Sequence, residues 1–150
     1  MKRRSRLVLG ILTLLILLFL AGPRVTVEHR PYAEVLPDDL ISHLAASEAA
    51  YPDITPGAEK TIIWANPQHQ QTELAIVYLH GFSATRQETA PLCDDLAISL
   101  AANLFYTRLT GHGRSNAAMA EASAGDWLKD AEEALAIGKR LGRKVIIIGT

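Results

Sequence analysis

The chain has 150 residues, enough for one domain with a sizeable core, and 49% of them are hydrophobic. A formal net charge of −1, with no Lys/Arg stripe beyond the N-terminus, argues against nucleic acid as a partner. The single cysteine, Cys93, excludes an internal disulfide and argues against a Cys-based metal site.

Lys2, Arg3, Arg4 and Arg6 precede an uncharged run from Leu7 to Gly22 that is rich in Leu and Ile. A basic head and an apolar body read as a signal peptide or a signal anchor. As a helix, residues 7–22 rise about 24 Å, slightly less than the ~30 Å hydrocarbon core. Cleavage after Gly22 would place Leu20 at the position that wants a small residue. Residues 1–22 are therefore expected to be an uncleaved anchor that meets the membrane through residues 7–22, with secretion after cleavage as the alternative. The positive-inside bias puts the body on the non-cytoplasmic side, periplasmic or extracellular.

Residues 23–58 hold Pro23, Pro31, Pro37, Pro52 and Pro56 of the chain's seven prolines and read as a spacer carrying one helix. Pro37-Asp38-Asp39 opens that helix, with acidic residues where the helix dipole favours them. Leu40, Ile41, Leu44 and Ala45 follow at helical spacing, and Tyr51-Pro52 closes it. His29 and His43 stand alone and read as surface histidines.

From Glu59 the pattern becomes strand, helix, strand, helix, strand. Thr61–Trp64 is a short strand, and 74–79 is a run apolar enough for a sheet covered on both faces. After the loop His80–Ala84, Thr85-Arg86-Gln87-Glu88 has capping-box spacing and predicts a helix to about Ala102. Within it, Cys93 beside Leu92 and Leu96 reads as a small buried side chain. Residues 103–109 predict the next strand, ending at Thr110-Gly111-His112-Gly113. Ser123-Ala124-Gly125-Asp126 offers a second cap, for a helix whose apolar face is Trp127, Leu128, Ala131, Ala134, Leu135 and Ile137. Gly142 should stop that helix, and Val145–Ile148 is a further apolar strand. The fold class is α/β: a mostly parallel sheet, right-handed crossovers, helices on both faces, and one N-terminal transmembrane or signal helix.

Ligands of such sheets sit off the carboxyl ends of the strands, here His80-Gly81-Phe82, Gly111-His112-Gly113 and Gly149-Thr150. Phosphate binding fails as an explanation. Gly111-His112-Gly113-Arg114-Ser115-Asn116 lacks the last glycine of the dinucleotide fingerprint, no helix starts there, and no Walker motif occurs. A glycine directly after a buried strand instead allows a sharp turn that aims the Phe82 N–H into the crevice, where it can stabilise an oxyanion. A plain turn explains His80-Gly81-Phe82 equally well when it is taken alone.

The ordered set "LAIVYLHGFSAT" (74–85), "LTGHGRS" (109–115), "DWLKDAEEAL" (126–135) and "KVIIIGT" (144–150) resembles the N-terminal half of an α/β-hydrolase, over residues 59–150. The similarity is to the esterase, monoglyceride-lipase and serine-aminopeptidase-like branch. It implies that Phe82 supplies one oxyanion N–H, with His80, Gly81, Gly111, His112 and Gly113 supporting the loops. It also implies that Gly149-Thr150 begins a G-x-S-x-G nucleophile elbow whose serine would follow Thr150. A small ester or acyl substrate and no cofactor are then expected, with less expectation of an amide.

In that family the nucleophile, acid and histidine all come later in the chain, so residues 1–150 alone are expected to be inactive. Ser83 reads as a local cap, and no motif suggests a substitute triad. Two alternatives stay open: a non-catalytic binding or scaffold member of the fold, and an Asp-nucleophile hydrolase of the dehalogenase or epoxide-hydrolase kind.

Overall fold

The computed structural model describes residues 2–24 and 26–150; the side chains of Lys2 and Arg3, part of the basic head, lie outside the described residues. Helix α1 runs Lys2–Ala21, and its segment Arg4–Ala21, of mean hydropathy 2.1 and wholly unburied, is a candidate membrane span or signal. Helix α2 is Leu40–Ala49, α3 is Leu92–Ser99 and α4 is Ala124–Leu141. Strands β1 (Thr61–Ile63), β2 (Thr72–Leu79), β3 (Asn103–Tyr106) and β4 (Gly142–Gly149) form one sheet in the order β1-β3-β2-β4.

The sheet is mixed. β2 runs parallel to both β3 and β4, whereas β1 lies antiparallel to β3, pairing Thr61 with Tyr106 and Ile63 with Leu104. β2 is central, and Ala75, Ile76, Val77 and Tyr78 are all essentially inaccessible. Its alternating side chains feed two cores. Ala75, Val77 and Phe105 pack with Leu40 and Leu44 of α2 and with Ala134, Ile137 and Leu141 of α4. Ile76, Tyr78, Leu104 and Tyr106 pack on the other face with Cys93 and Ala97 of α3. Each Leu, Ile, Val or Phe among them contributes roughly 1.5–3 kcal/mol on burial.

Several boundaries differ from the sequence expectation. The helix expected from Thr85 to about Ala102 is a single 3-10 turn, Arg86–Glu88, followed after Pro91 by α3. Pro91 lacks an N–H and its ring clashes with the preceding turn, so no helix passes through it. β3 stops at Tyr106, not residue 109, because the Leu109 N–H is taken by His80 Nε2 at 3.1 Å. Gly142 ends α4, but with φ −146°, extended and not left-handed, and it starts β4 directly. A glycine is needed there because a Cβ would run into the Ala75 backbone N. Gly138 serves the same close approach, since a Cβ would meet Val77 Cγ2 at 2.5 Å.

α3 ends in a Schellman motif, with Ala102 N–H donating to Ala97 O (2.9 Å) and Ala101 N–H to Ile98 O (3.1 Å). The left-handed position is filled by exposed Ala101 at φ +47°, which strains any L-residue. Ala101→Gly is expected to raise unfolding free energy by about 0.5–1 kcal/mol, relief of the strain exceeding glycine's extra unfolded-state entropy. A denaturant midpoint at constant slope reads this; a lower midpoint would contradict it.

The Pro-rich segment is not free of the body. Asp39 caps α2 by accepting the Ser42 N–H (3.0 Å). Residues 28–38 then form a strap along α4, in the same direction as the helix. The Glu28 carbonyl lies where a Cβ on Gly125 would stand. Glu132 accepts the Tyr32 N–H (2.7 Å) and pairs with His29 (2.8 Å), Lys129 reaches Glu34 (3.4 Å), and Arg140 holds Leu36 O (3.2 Å) and Asp38 (3.0 Å).

Candidate functional site

The parallel strands deliver three loops to one end of the sheet. β2 ends in His80, whose buried ring bridges two of them: Nδ1 donates to Gly81 O (3.0 Å) while Nε2 accepts the Leu109 N–H (3.1 Å). Burial, more than the nearby His112, pushes the His80 pKa down and keeps the ring neutral. With one ring nitrogen donating and the other accepting, its tautomer is fixed and neither nitrogen is left for a base. His112, also buried, repeats the pattern across the gap: Nδ1 donates to Thr110 O (3.2 Å) and Nε2 accepts the Ser83 N–H (3.1 Å). The two imidazoles lie 4.8 Å apart. Together they pin the His80–Ser83 turn to the turn after β3.

Those bonds decide what the loop presents. Gly81 N–H donates to Glu88 Oε2 (3.2 Å), Ser83 N–H to His112, and Ala84 N–H to Gly81 O (3.2 Å). The Phe82 N–H between them has no acceptor among the described residues. Ser83 is not a helix cap; it sits in the left-handed region at φ +61°, and this twist separates its N–H from that of Phe82. The Phe82 ring is 76% exposed and stands edge-on to His112 (6.1 Å) and Trp127 (6.0 Å).

Gly111 and Gly113 shape the second loop. Both have positive φ, +81° and +66°, and a Cβ would meet Ala118 O at 2.7 Å or Ala58 Cβ at 2.8 Å. α4 steadies this loop from its first two turns. Trp127 Nε1 donates to Thr110 O (3.0 Å), and Asp130 accepts the Thr110 N–H (2.6 Å). Burial raises the Asp130 carboxyl above its ordinary pKa. The Ser123–Asp126 capping box fixes where α4 begins.

The third loop is Gly149-Thr150. Thr150 N–H donates to Leu79 O (3.3 Å), and a Cβ on Gly81 would lie 3.2 Å from both Thr150 O and Thr150 Oγ1. Gly81 is therefore a glycine of close approach, letting the first and third loops touch. Glu88 joins them. Its Oε2 accepts Thr150 Oγ1 (2.8 Å), Tyr78 OH (3.0 Å) and the Gly81 N–H, and these donors, Thr150 first, hold the Glu88 carboxyl below its usual pKa. The sequence spacing assigned Glu88 to a capping box. In the structure its side chain leaves Thr85, whose hydroxyl instead accepts the Gln87 N–H (3.4 Å).

Beneath the second loop lies a polar cleft of about 390 Å³ between α2, the strap and α4. It holds two ion pairs, Glu48–Arg108 and Lys60–Glu133, with every side chain at most 10% exposed. Arg108 grips Glu48 through Nε and Nη2, both at 2.9 Å, and spends Nη1 on His112 O (3.1 Å). No sequence motif marked this pair. No serine hydroxyl bonds a histidine among the described residues, nor do three or more His, Cys, Asp or Glu gather around a metal-sized point there.

No protein-family model matches the chain, and no curated protein matches it. A solved structure described with LipS and LipT, two metagenome-derived lipolytic enzymes, is similar to it, with a TM-score of 0.55 and 26% identity. The likeness covers 64% of this chain and 36% of the other, so the chain spans about a third of that enzyme's length. The body thus has an esterase/lipase-like, α/β-hydrolase-like fold.

Proposed function

We propose that residues 59–150 form the oxyanion side of an ester-hydrolase site. The observation that carries this is the unpartnered Phe82 N–H, held between two satisfied neighbours within a loop that abuts Gly149-Thr150. A donor already fixed in place stabilises the alkoxide of a tetrahedral intermediate without reorganising as charge develops. His80, His112, Gly81, Gly111 and Gly113 position it, and Glu88 ties it to the end of β4. The attacking group is proposed to be a serine following Thr150, with the acid and histidine later still. Attack on the carbonyl carbon gives an acyl-enzyme and releases the alcohol, and water then releases the acid. The likeness to a lipolytic enzyme supports an ester over an amide. The basic head at the start of α1 favours a body on the non-cytoplasmic side.

The test is to read the coding frame beyond codon 150 and expose the expressed protein to a fluorophosphonate probe. A labelled serine in Ser-x-Gly directly after Thr150 is expected. An aspartate there, with no labelling, would replace this with the Asp-nucleophile chemistry. Neither nucleophile would leave a binding member of the fold.

A further inference from the structure

The strap fixes the end of the body from which the chain leaves for α1. It meets α4 first at Gly125, beside the Glu28 carbonyl, and leaves it near Arg140. The first turns of α4 are the end that carries Trp127, against Phe82 and His112 at the crevice. The chain therefore runs to α1 from the crevice end of the fold. Only residues 22–27 separate α1 from the clamped strap, and among the described ones none forms a hydrogen bond or ion pair with the body. Fully extended, that segment reaches about 20 Å at ~3.3–3.6 Å per residue. The same end exposes apolar side chains: Phe82 at 76%, Leu128 at 46% and Val27 at 48%. Trp64 marks the opposite end, since the neighbouring Ala65 N–H donates to Asn103 at the start of β3 (2.9 Å).

We propose that, with α1 embedded, the strap holds the crevice against the bilayer, and that its substrate is a lipid ester drawn from that bilayer. The substrate class rests on the ester-hydrolase reading above; the placement of the crevice does not. A tether this short keeps Phe82 and Trp127 within reach of the headgroups, whichever side of the membrane the body occupies. A lipid acyl chain then passes into the crevice without crossing water, and the exposed Phe82 ring is the apolar surface it meets.

The experiment uses the full-length protein reconstituted through α1 into phosphatidylcholine vesicles carrying dansyl-labelled headgroups. Energy transfer is expected from a variant that keeps Trp127 as its one tryptophan donor, Trp64 and any tryptophan beyond residue 150 being replaced by Phe. It should be lost when about twenty Gly/Ser residues are inserted between Gly22 and Pro23, a change outside the folded body. The same insertion should lower kcat/KM for a vesicle-borne acylglycerol on the order of tenfold, as effective concentration falls with tether length, and spare a soluble short-chain ester. Transfer absent from the variant that keeps only Trp127, or that ignores the insertion, overturns the placement. Acylglycerol hydrolysis indifferent to the insertion overturns the lipid source. Intact transfer with neither ester hydrolysed overturns the ester chemistry and upholds the placement.

Discussion

Glu48→Ala is expected to lower the unfolding free energy of the body by about 3–5 kcal/mol, the usual cost of stripping one partner from a buried ion pair. Arg108 is only 4% exposed, at the wall of the polar cleft. Two of its three nitrogens bond Glu48 and the third bonds the His112 carbonyl, so without Glu48 the guanidinium keeps its charge with one neutral acceptor. The Lys60 N–H loses a carboxylate as well (3.2 Å). Lysine in place of Arg108 would not substitute, because a point charge cannot reproduce the two parallel bonds. The double change Glu48→Leu with Arg108→Met should recover much of the loss, since an apolar pair of similar volume leaves no orphaned charge. Denaturant midpoints of the three proteins read this directly. A loss below about 1 kcal/mol for Glu48→Ala would mean that the pair behaves as a surface contact.

The consequence reaches the crevice. Arg108 Nη1 holds the carbonyl of His112, whose ring holds the Ser83 N–H. A helix in the segment expected to be a spacer therefore braces the loop that presents Phe82. The spacing of Leu40 and Leu44 made α2 legible, but nothing in the sequence announced that Glu48 would meet a residue sixty positions away. The strap was hidden for a similar reason. Its contacts run from α4 side chains to backbone groups such as Tyr32 N–H and Leu36 O, and prolines leave no periodicity.

Local signals were legible where a short stretch suffices to satisfy them. The run 74–79 lies in a strand covered on both faces, and Ser123-x-x-Asp126 does cap α4. They misled where a tertiary partner outcompetes the local one. Thr85-x-x-Glu88 has the spacing of a capping box, yet the Glu88 carboxylate is better satisfied by three donors from β2, its loop and Thr150. Pro91 was a breaker inside an otherwise apolar helical pattern, and the breaker won. The direction of β1 was not readable, because a strand that pairs with one two strands further along the chain carries no mark of its polarity.

If the proposed ester hydrolysis holds, Phe82→Pro is expected to cost the expressed protein about 10²–10³ in kcat on an ester, the loss that follows removal of one oxyanion donor. Of the loop's backbone donors proline deletes this N–H alone, because the flanking bonds come from Gly81, Ser83 and Ala84. Glycine before it tolerates the restriction proline imposes on its predecessor. The exposed ring is lost too, so Phe82→Ala is the necessary companion: it keeps the donor and removes the edge contacts to His112 and Trp127. On the proposed mechanism the ring would touch substrate and transition state alike and should appear mainly in KM, whereas the N–H would meet charge only as the tetrahedral intermediate forms and should appear in kcat. An unchanged unfolding midpoint in both variants separates these effects from damage to the fold. If the proline enzyme turns over within about threefold of the alanine enzyme, far short of one donor's usual worth, the Phe82 N–H is no oxyanion donor, and its missing partner inside the protein is simply water.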